Sequence, residues 1–256
     1  MILAIIQARI GSTRLPKKVL LDLKGKTVLE HVVERVKKSN KINELIVATT
    51  INIEDLEIVK LCSNKGIRVF CGSEDDVLDR FYQITKLMNP KHIVRITADC
   101  PLIDPDIINK TIDLHLLKNS DYTCNTLKET FPDGLDVEIF TYEALQKAWK
   151  EAKLTSEREH VTSYIRNHRE IFKISGLENI QNLSKKRWTL DEYDDYKFLK
   201  IIFESVYAVN SDFRMGDILE YLRRNPDVEE INNHIIRNEG YLKSIREDIE
   251  IKTERI

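Results

Sequence analysis

The stretch Ile2-Leu-Ala-Ile-Ile-Gln-Ala-Arg-Ile-Gly-Ser-Thr-Arg-Leu-Pro-Lys-Lys-Val-Leu20 decides how this chain is read. It begins with a continuous apolar run, Ile2 to Ile6, rich in β-branched side chains. That is the pattern of a buried parallel strand. A loop from Gln7 to Lys18 follows, with Arg9, Arg14, Lys17 and Lys18 set among small residues. In an open α/β sheet, ligands bind beyond the carboxyl ends of the strands, which is where this loop leaves. Small residues let backbone N–H groups approach an anion, and cations add charge-assisted hydrogen bonds to phosphate oxygens. Charge alone would read as a solvated basic loop. Its place after a first strand, together with Gly11, Ser12 and Thr13, favours phosphate binding. The loop fits neither G-x-x-x-x-G-K-[ST] nor G-x-G-x-x-G, so the Walker and dinucleotide readings fail on residues.

Outward from this stretch, strands and helices alternate. Val28, Leu29, Val32, Val33 and Val36 recur at helical spacing from about Thr27, and Glu30 completes a capping box with Thr27. Glu44 to Thr49 reads as a second strand. A helix holding Leu56, Val59 and Leu61 ends at Gly66, and Ile67 to Phe70 reads as a third strand. Asp76 to Leu87 is helical, His92 to Thr97 is a fourth strand, and Asp104-Pro105 opens another helix. This order predicts right-handed βαβ units and a mostly parallel sheet. Beyond Asp121 the pattern changes. Leu135 to Phe140 reads as a strand, Thr141 to Glu151 and Ser156 to Asn167 as helices, and Ile171 to Ile174 as a strand. From Asp191 onward the chain is expected to be almost wholly helical, through Phe203, Leu222 and Ile236, with a charged end, Glu247 to Ile256, that frays. No Gly/Ser/Pro linker divides it. The expectation is one α/β domain over 1–256, with a nucleotide-binding core at 1–190 and a helical extension at 191–256.

Bulk properties narrow the classes. The 256 residues are 42% hydrophobic and 32% charged, a charged but globular composition. A formal net charge of −2 gives no global basic field for nucleic acid. Cys62, Cys71, Cys100 and Cys124 lack C-x-x-C spacing, which argues against a structural zinc site and a disulfide framework. The apolar run at the start is too short for a signal peptide or a membrane span, so the cytoplasm is the default compartment.

Taken together, the loop and several later segments resemble the cytidylyltransferase superfamily of CMP-KDO and CMP-sialic acid synthetases. The similarity is strongest to its SpsF-like branch, named for spore coat polysaccharide biosynthesis. The segments that carry the resemblance are the loop itself, Gly72-Ser-Glu-Asp-Asp-Val-Leu-Asp-Arg-Phe, Arg95-Ile-Thr-Ala-Asp-Cys-Pro-Leu-Ile-Asp-Pro, Pro132-Asp-Gly-Leu-Asp-Val-Glu, Glu157-Arg-Glu-His-Val-Thr and Arg187-Trp-Thr-Leu-Asp. They span nearly the whole chain. The resemblance implies a Rossmann-like sheet of the nucleotide-diphospho-sugar transferase type, CTP as donor, Mg²⁺ as cofactor, and relatives that are often homodimers. Lys17 departs from the pattern, which usually has glycine there. A position needing positive φ, or close approach to phosphate, would be altered by it.

The expected site follows. Asp99, directly after the fourth strand, is suited either to turning the chain before Pro101 or to holding Mg²⁺, which prefers oxygen ligands and bridges carboxylates to phosphates. The resemblance places the family's magnesium aspartate on Asp99 and a second one on Asp191, which is equally suited to cap the next helix. Asp136 and then Asp133 are competitors for that second role. Arg9, Lys18 and Asp99 are the expected catalytic set. Nucleotide contacts are expected from Gln7, Ala8, Arg9, Gly11, Ser12, Arg14, Lys18, Thr49, Arg80 and Asp99. Asp136, Glu138, Arg158 and His160 are assigned to the acceptor. Thr49 and Arg80 have bland alternatives, in strand-end packing and a surface ion-pair face.

The expected reaction transfers CMP from CTP to a small anionic acceptor, a sugar acid or a phosphorylated or phosphonate compound, in surface polysaccharide or glycolipid biosynthesis. A nucleotide-sugar-dependent glycosyltransferase is the alternative, but no Asp-x-Asp triplet stands near a strand end. A non-catalytic nucleotide-binding regulator is the third reading. Neither nucleic acid nor membrane is expected as a partner.

Overall fold

A computed structural model of the chain describes residues 1–237. The first half alternates as expected, apart from a small hairpin that was not foreseen, β2 (Asp22–Leu23) with β3 (Lys26–Thr27): β1 (Ile2–Gln7) precedes it, and α1 (Val28–Lys37), β4 (Glu44–Thr50), α2 (Leu56–Asn64), β5 (Val69–Gly72), α3 (Val77–Met88), β6 (His92–Thr97) and α4 (Pro105–Lys118) follow. The second half holds β7 (Tyr122–Cys124), β8 (Glu138–Thr141), α5 (Tyr142–Glu151), α6 (Thr155–Glu159), α7 (Ser163–Asn167), β9 (Ile174–Gly176), α8 (Tyr193–Ile202), α9 (Met215–Arg224) and α10 (Pro226–Glu230). The main sheet runs β5-β4-β1-β6-β8-β7-β9. Its β5, β4, β1 and β6 are mutually parallel, and β8 is antiparallel to both of its neighbours.

Local chemistry sets these elements. At the start of α1, the Thr27 hydroxyl accepts from the Glu30 amide at 3.2 Å, and the Thr27 amide donates to the Glu30 carboxylate at 2.8 Å. Asp104 caps α4 through the Asp106 amide, with Pro105 at the first position. Apolar side chains fill both faces of the sheet. The helices after Asp191 join one of these layers: Phe198, Leu199, Phe203 and Phe213 pack with Val28, Val32 and Ile107.

Several expectations are corrected. The predicted helix Ser156–Asn167 is broken into α6 and α7 at Val161, whose φ is 48°. A β-branched residue in that conformation is a strained exception, so no sequence pattern announces it. The predicted strand Leu135–Phe140 begins its ladder only at Glu138. Before it, the Asn125 side chain donates to the Leu135 carbonyl and accepts from the Val137 amide, replacing a strand partner. The third strand starts at Val69 rather than Ile67, and the strand expected from Ile171 starts at Ile174. In α2, Leu56 is exposed, and the buried positions are Ile58 and Cys62. Strand β7, only three residues long, was not expected at all. Ile236 lies outside any helix, and Glu247 to Ile256 falls outside the described residues.

Gly134 joins the two segments that later face the site. Its φ is +101°, and a Cβ there would stand 2.6 Å from both the Thr189 nitrogen and the Trp188 carbonyl carbon. The contact lets the Asp133 amide donate to the Lys186 carbonyl and the Trp188 amide to the Asp133 carbonyl. Gly134→Ala should therefore destabilise the protein by about 2 kcal/mol or more. Chemical denaturation measures this, and a loss below about 0.5 kcal/mol would show that the two segments part without cost.

Candidate active site

The strand order reverses between β1 and β6. The chain moves outward through β4 and β5 and then returns to the other side of β1. Crevices at such switch points receive ligands in open α/β sheets. Gln7 and Thr97 end β1 and β6 side by side, so the loop after each strand enters the same crevice. Lys18 comes from one loop and Asp99 from the other. Lys18 Nζ donates to Asp99 Oδ2 at 2.6 Å and to Asp191 Oδ1 at 2.7 Å. Arg14 adds an ion pair to Asp191 at 3.1 Å. Burial would lower the Lys18 pKa, but the two carboxylates outweigh it and raise it. Burial would raise Asp99, but Lys18 beside it brings its pKa down to about 2.

Both acids are held from behind. The Leu190 amide donates to the Asp99 carbonyl at 2.9 Å. Arg187, buried, donates to Asp195 at 2.8 and 2.9 Å, to Asp133 at 3.3 Å and to Asp191 at 3.4 Å. Asp195 in turn accepts from the Asp191 and Glu192 amides. The capping role expected of Asp191 thus passes to Glu192 and Asp195, and its own carboxylate faces Lys18.

The loop after β1 makes a left-handed turn at Lys17. Lys17 has φ 56°, so lysine occupies a conformation that suits glycine, at a cost of roughly 1 kcal/mol. Gln7 accepts from Arg95 Nη2 at 3.1 Å, and Ala8 is buried under the loop. Gly11 has no positive φ, and Ser12 accepts from the Leu15 amide, closing a turn. Arg9 points outward to Glu74 at 3.3 Å. Asp55, which sequence reading missed, clamps the loop to the sheet. It accepts from the Ile10 amide at 2.7 Å, from both Thr49 and Thr50 hydroxyls, and from the Thr50 amide.

Asp99 and Asp191 stand on the wall of a cavity of about 520 Å³, shared with Arg14, Asp136, Glu138 and His160. The same cavity exposes Arg95, Arg166 and Arg237, which were not singled out beforehand. Arg95 sits opposite Glu138 in the β6–β8 register, and its guanidinium is paired with that carboxylate. Arg237 donates to Asp136 at 3.0 Å and lies 3.5 Å from Glu129 and from Asp133. Its only sequence signal was a cation near the end of the chain, which does not tell where the chain folds back.

Three further expected contacts lie away from the cavity, and a fourth lines it with its carboxylate already engaged. Arg158 turns away from the cavity to Asp76 and the Trp149 carbonyl. Thr49 is fully buried and spends its hydroxyl on Asp55. Arg80 is 1% exposed and reaches the Ala48 and Glu74 carbonyls, so it supports the loop that holds Arg9 from beneath. It is neither on a surface ion-pair face nor displayed to the crevice. Glu138 lines the cavity but is engaged by Arg95, Tyr122 and Thr162, which suits holding Arg95 better than binding an acceptor.

A lysine bridging two aspartates thus stands at the switch point of an open α/β sheet, beside a polar cavity, an arrangement compatible with the nucleotidyltransferase class. The sequence pattern of the family described as "Cytidylyltransferase" matches residues 3–226. The chain belongs to this family and is a CTP-dependent cytidylyltransferase. It is 43% identical to an uncharacterized protein of Methanocaldococcus jannaschii over 94% of this chain and 97% of that one. It is 34% identical to the spore coat polysaccharide biosynthesis protein SpsF of Bacillus subtilis over 88% and 95%. A solved cytidylyltransferase of Leptospira borgpetersenii superposes with a TM-score of 0.86 at 35% identity, covering 92% of this chain and 99% of that one. A CMP:2-keto-3-deoxy-manno-octonic acid synthetase solved with CTP shares the fold, with a TM-score of 0.62 at 15% identity over 80% of this chain and 99% of that one. None of the described helices is long and apolar enough to cross a membrane.

The acids near Arg237 carry a pH signature. Burial, with Asp136 adding to it, pushes Asp133 up to about 7 despite Arg237 and Arg187. Its folded pKa thus lies above the usual carboxylate value of about 3.9. Between those values the folded state holds a proton that the unfolded state has lost, so stability falls as pH rises from about 4 to about 7. Asp133→Asn should leave stability at pH 4 nearly unchanged and raise it at pH 8 by about 1 kcal/mol or more. Thermal denaturation at the two pH values checks this, and equal effects at both would place the strain elsewhere.

Proposed function

We propose that the enzyme transfers CMP from CTP to a small anionic acceptor, with Mg²⁺ at Asp99 and Asp191, in the assembly of a surface polysaccharide or glycolipid. The observation that carries this reading is Lys18 Nζ bridging Asp99 and Asp191, both of which line the cavity. One ammonium within hydrogen-bonding distance of both carboxylates means that both can serve a single cation. A pair of carboxylates completed by substrate phosphates is how Mg²⁺ is commonly held. When bound there, the metal would neutralise charge on the α-phosphate and the leaving group.

The chain's own residues do the rest. Lys18 and Arg14, beside Asp99 and Asp191, offset the charge of the triphosphate, whereas Arg9 would have to leave Glu74 to join them. The acceptor's hydroxyl oxygen attacks the α-phosphorus in line, the bond from that phosphorus to the bridging oxygen breaks, and pyrophosphate leaves. His160 lines the cavity, and burial lowers its pKa, so the neutral imidazole can take the hydroxyl proton. The anionic group of the acceptor is assigned to Arg95 and Arg166, with Glu138 steadying Arg95. Arg237 closes the far wall against Asp136. The likeness to SpsF supports a role in polysaccharide assembly.

Incubation with CTP, Mg²⁺ and a panel of sugar acids, sugar phosphates and phosphonates should release pyrophosphate only when the right acceptor is present. No release with any anionic acceptor would remove this reading. Asp99→Asn should lower kcat by about 10³-fold or more while circular dichroism shows an intact fold. Arg237→Ala should raise the acceptor KM by about tenfold with little change for CTP; an equal rise for both substrates would place Arg237 outside the acceptor site.

A further inference from the structure

The two carboxylates assigned to the metal already share a cation. Lys18 Nζ stands within 2.7 Å of both, and the lysine side chain is only 13% exposed. An ammonium in that position and a divalent cation with ligands at about 2.0–2.1 Å compete for the same two carboxylates and repel each other. Each therefore weakens the other's hold on the site. We infer that Lys18 is an internal counter-ion that bars the divalent cation from the free protein, and that the triphosphate draws it off, so that metal enters only together with nucleotide. The inference rests on the assignment of Asp99 and Asp191 as metal ligands.

The surroundings make the lysine side chain the moving part. Its backbone is fixed in a short 3-10 turn (Lys18–Leu20) after the left-handed Lys17, with Val19 buried beneath. Asp99 is tied through its carbonyl to the Leu190 amide, and Asp191 is held by Arg187 on its other oxygen at 3.4 Å. The acids therefore stay in place when the ammonium leaves.

Charge gives the direction. Lys18 and Arg14 face Asp99 and Asp191, so these four groups are neutral as they stand. Adding a bare divalent cation leaves an uncompensated double positive charge in a half-buried site. A triphosphate brings about four negative charges, accepts the Lys18 ammonium through its own oxygens, and frees both carboxylates for the metal. Lys18 thus changes partners from carboxylate to phosphate in one step. That exchange makes occupancy by metal depend on occupancy by nucleotide.

Manganese as the probe, followed by electron paramagnetic resonance of the free ion, tests this on the full chain. Wild-type protein alone should leave Mn²⁺ free in solution. With CTP added, it should retain more Mn²⁺ than CTP does by itself. Lys18→Met should bind Mn²⁺ without nucleotide at least about tenfold more tightly than wild type, and its melting temperature should rise with Mn²⁺ while that of wild type does not. Lys18→Met leaves two neighbouring carboxylates without their ammonium, so it can fail to fold in the absence of metal. Folding restored by Mn²⁺ supports the inference, and folding that Mn²⁺ does not restore counts against it. Wild type binding Mn²⁺ alone within about threefold of Lys18→Met would overturn it. Adding Asp99→Asn to Lys18→Met should abolish Mn²⁺ binding; retained binding would instead overturn the assignment of the metal ligands.

Discussion

The contact of one lysine with two aspartates holds this site together. Lys18 follows β1, Asp99 follows β6, and Asp191 precedes α8, so a single ammonium joins three distant parts of the chain. Opposite charges this close are strongly coupled, and removing one partner from such a cluster is costly. The same contact exists only because β1 and β6 are neighbours with aligned ends. Topology brings the groups to one crevice, and electrostatics fixes their final positions there.

A partly buried cluster of this kind needs support, and the support is polar. Arg187 touches Asp133, Asp191 and Asp195, while Asn232 donates to the Arg187 carbonyl and to Asp195. Gly134 permits the backbone approach that puts Arg187 there. Val161, in a conformation unfavourable to a β-branched residue, turns the chain between His160 and Thr162, both of which face the cavity. Strain of that sort persists only where the surrounding structure holds it. Here Thr162 donates to Glu138, and Glu138 also accepts from Tyr122 and pairs with Arg95, so the turn is fastened to the sheet.

The regular half of the molecule was legible because its signals are local. The apolar run at Ile2–Ile6, the capping box at Thr27 and Glu30, and Asp104-Pro105 each state their element within a few residues, and each stands where expected. Lys18, Asp99 and Asp191 were legible through position and family pattern, and the structure brings them together. Arg158 and Thr49 were misplaced because a side chain's residue type does not reveal its partner. Asp76 and Asp55 captured them instead. Asp55 and Arg237 were missed because each acts through contacts remote in sequence, with Ile10 and with Asp136. Strand β7 escaped because three residues are too few for any period to show.

This division has a chemical sense. The Lys18–Asp99 contact is built at the ends of regular parallel strands, where neighbouring strands fix the position of each loop. Much of the rest of the cavity wall is built from irregular backbone: the segment around Gly134, the turn at Val161, and Ile236 with Arg237 beyond the last described helix. Irregular segments tolerate change better than a sheet does, because few ladder hydrogen bonds depend on them. Changes in the three irregular segments would reshape the cavity without disturbing the Lys18 contact, whose position is set by the sheet.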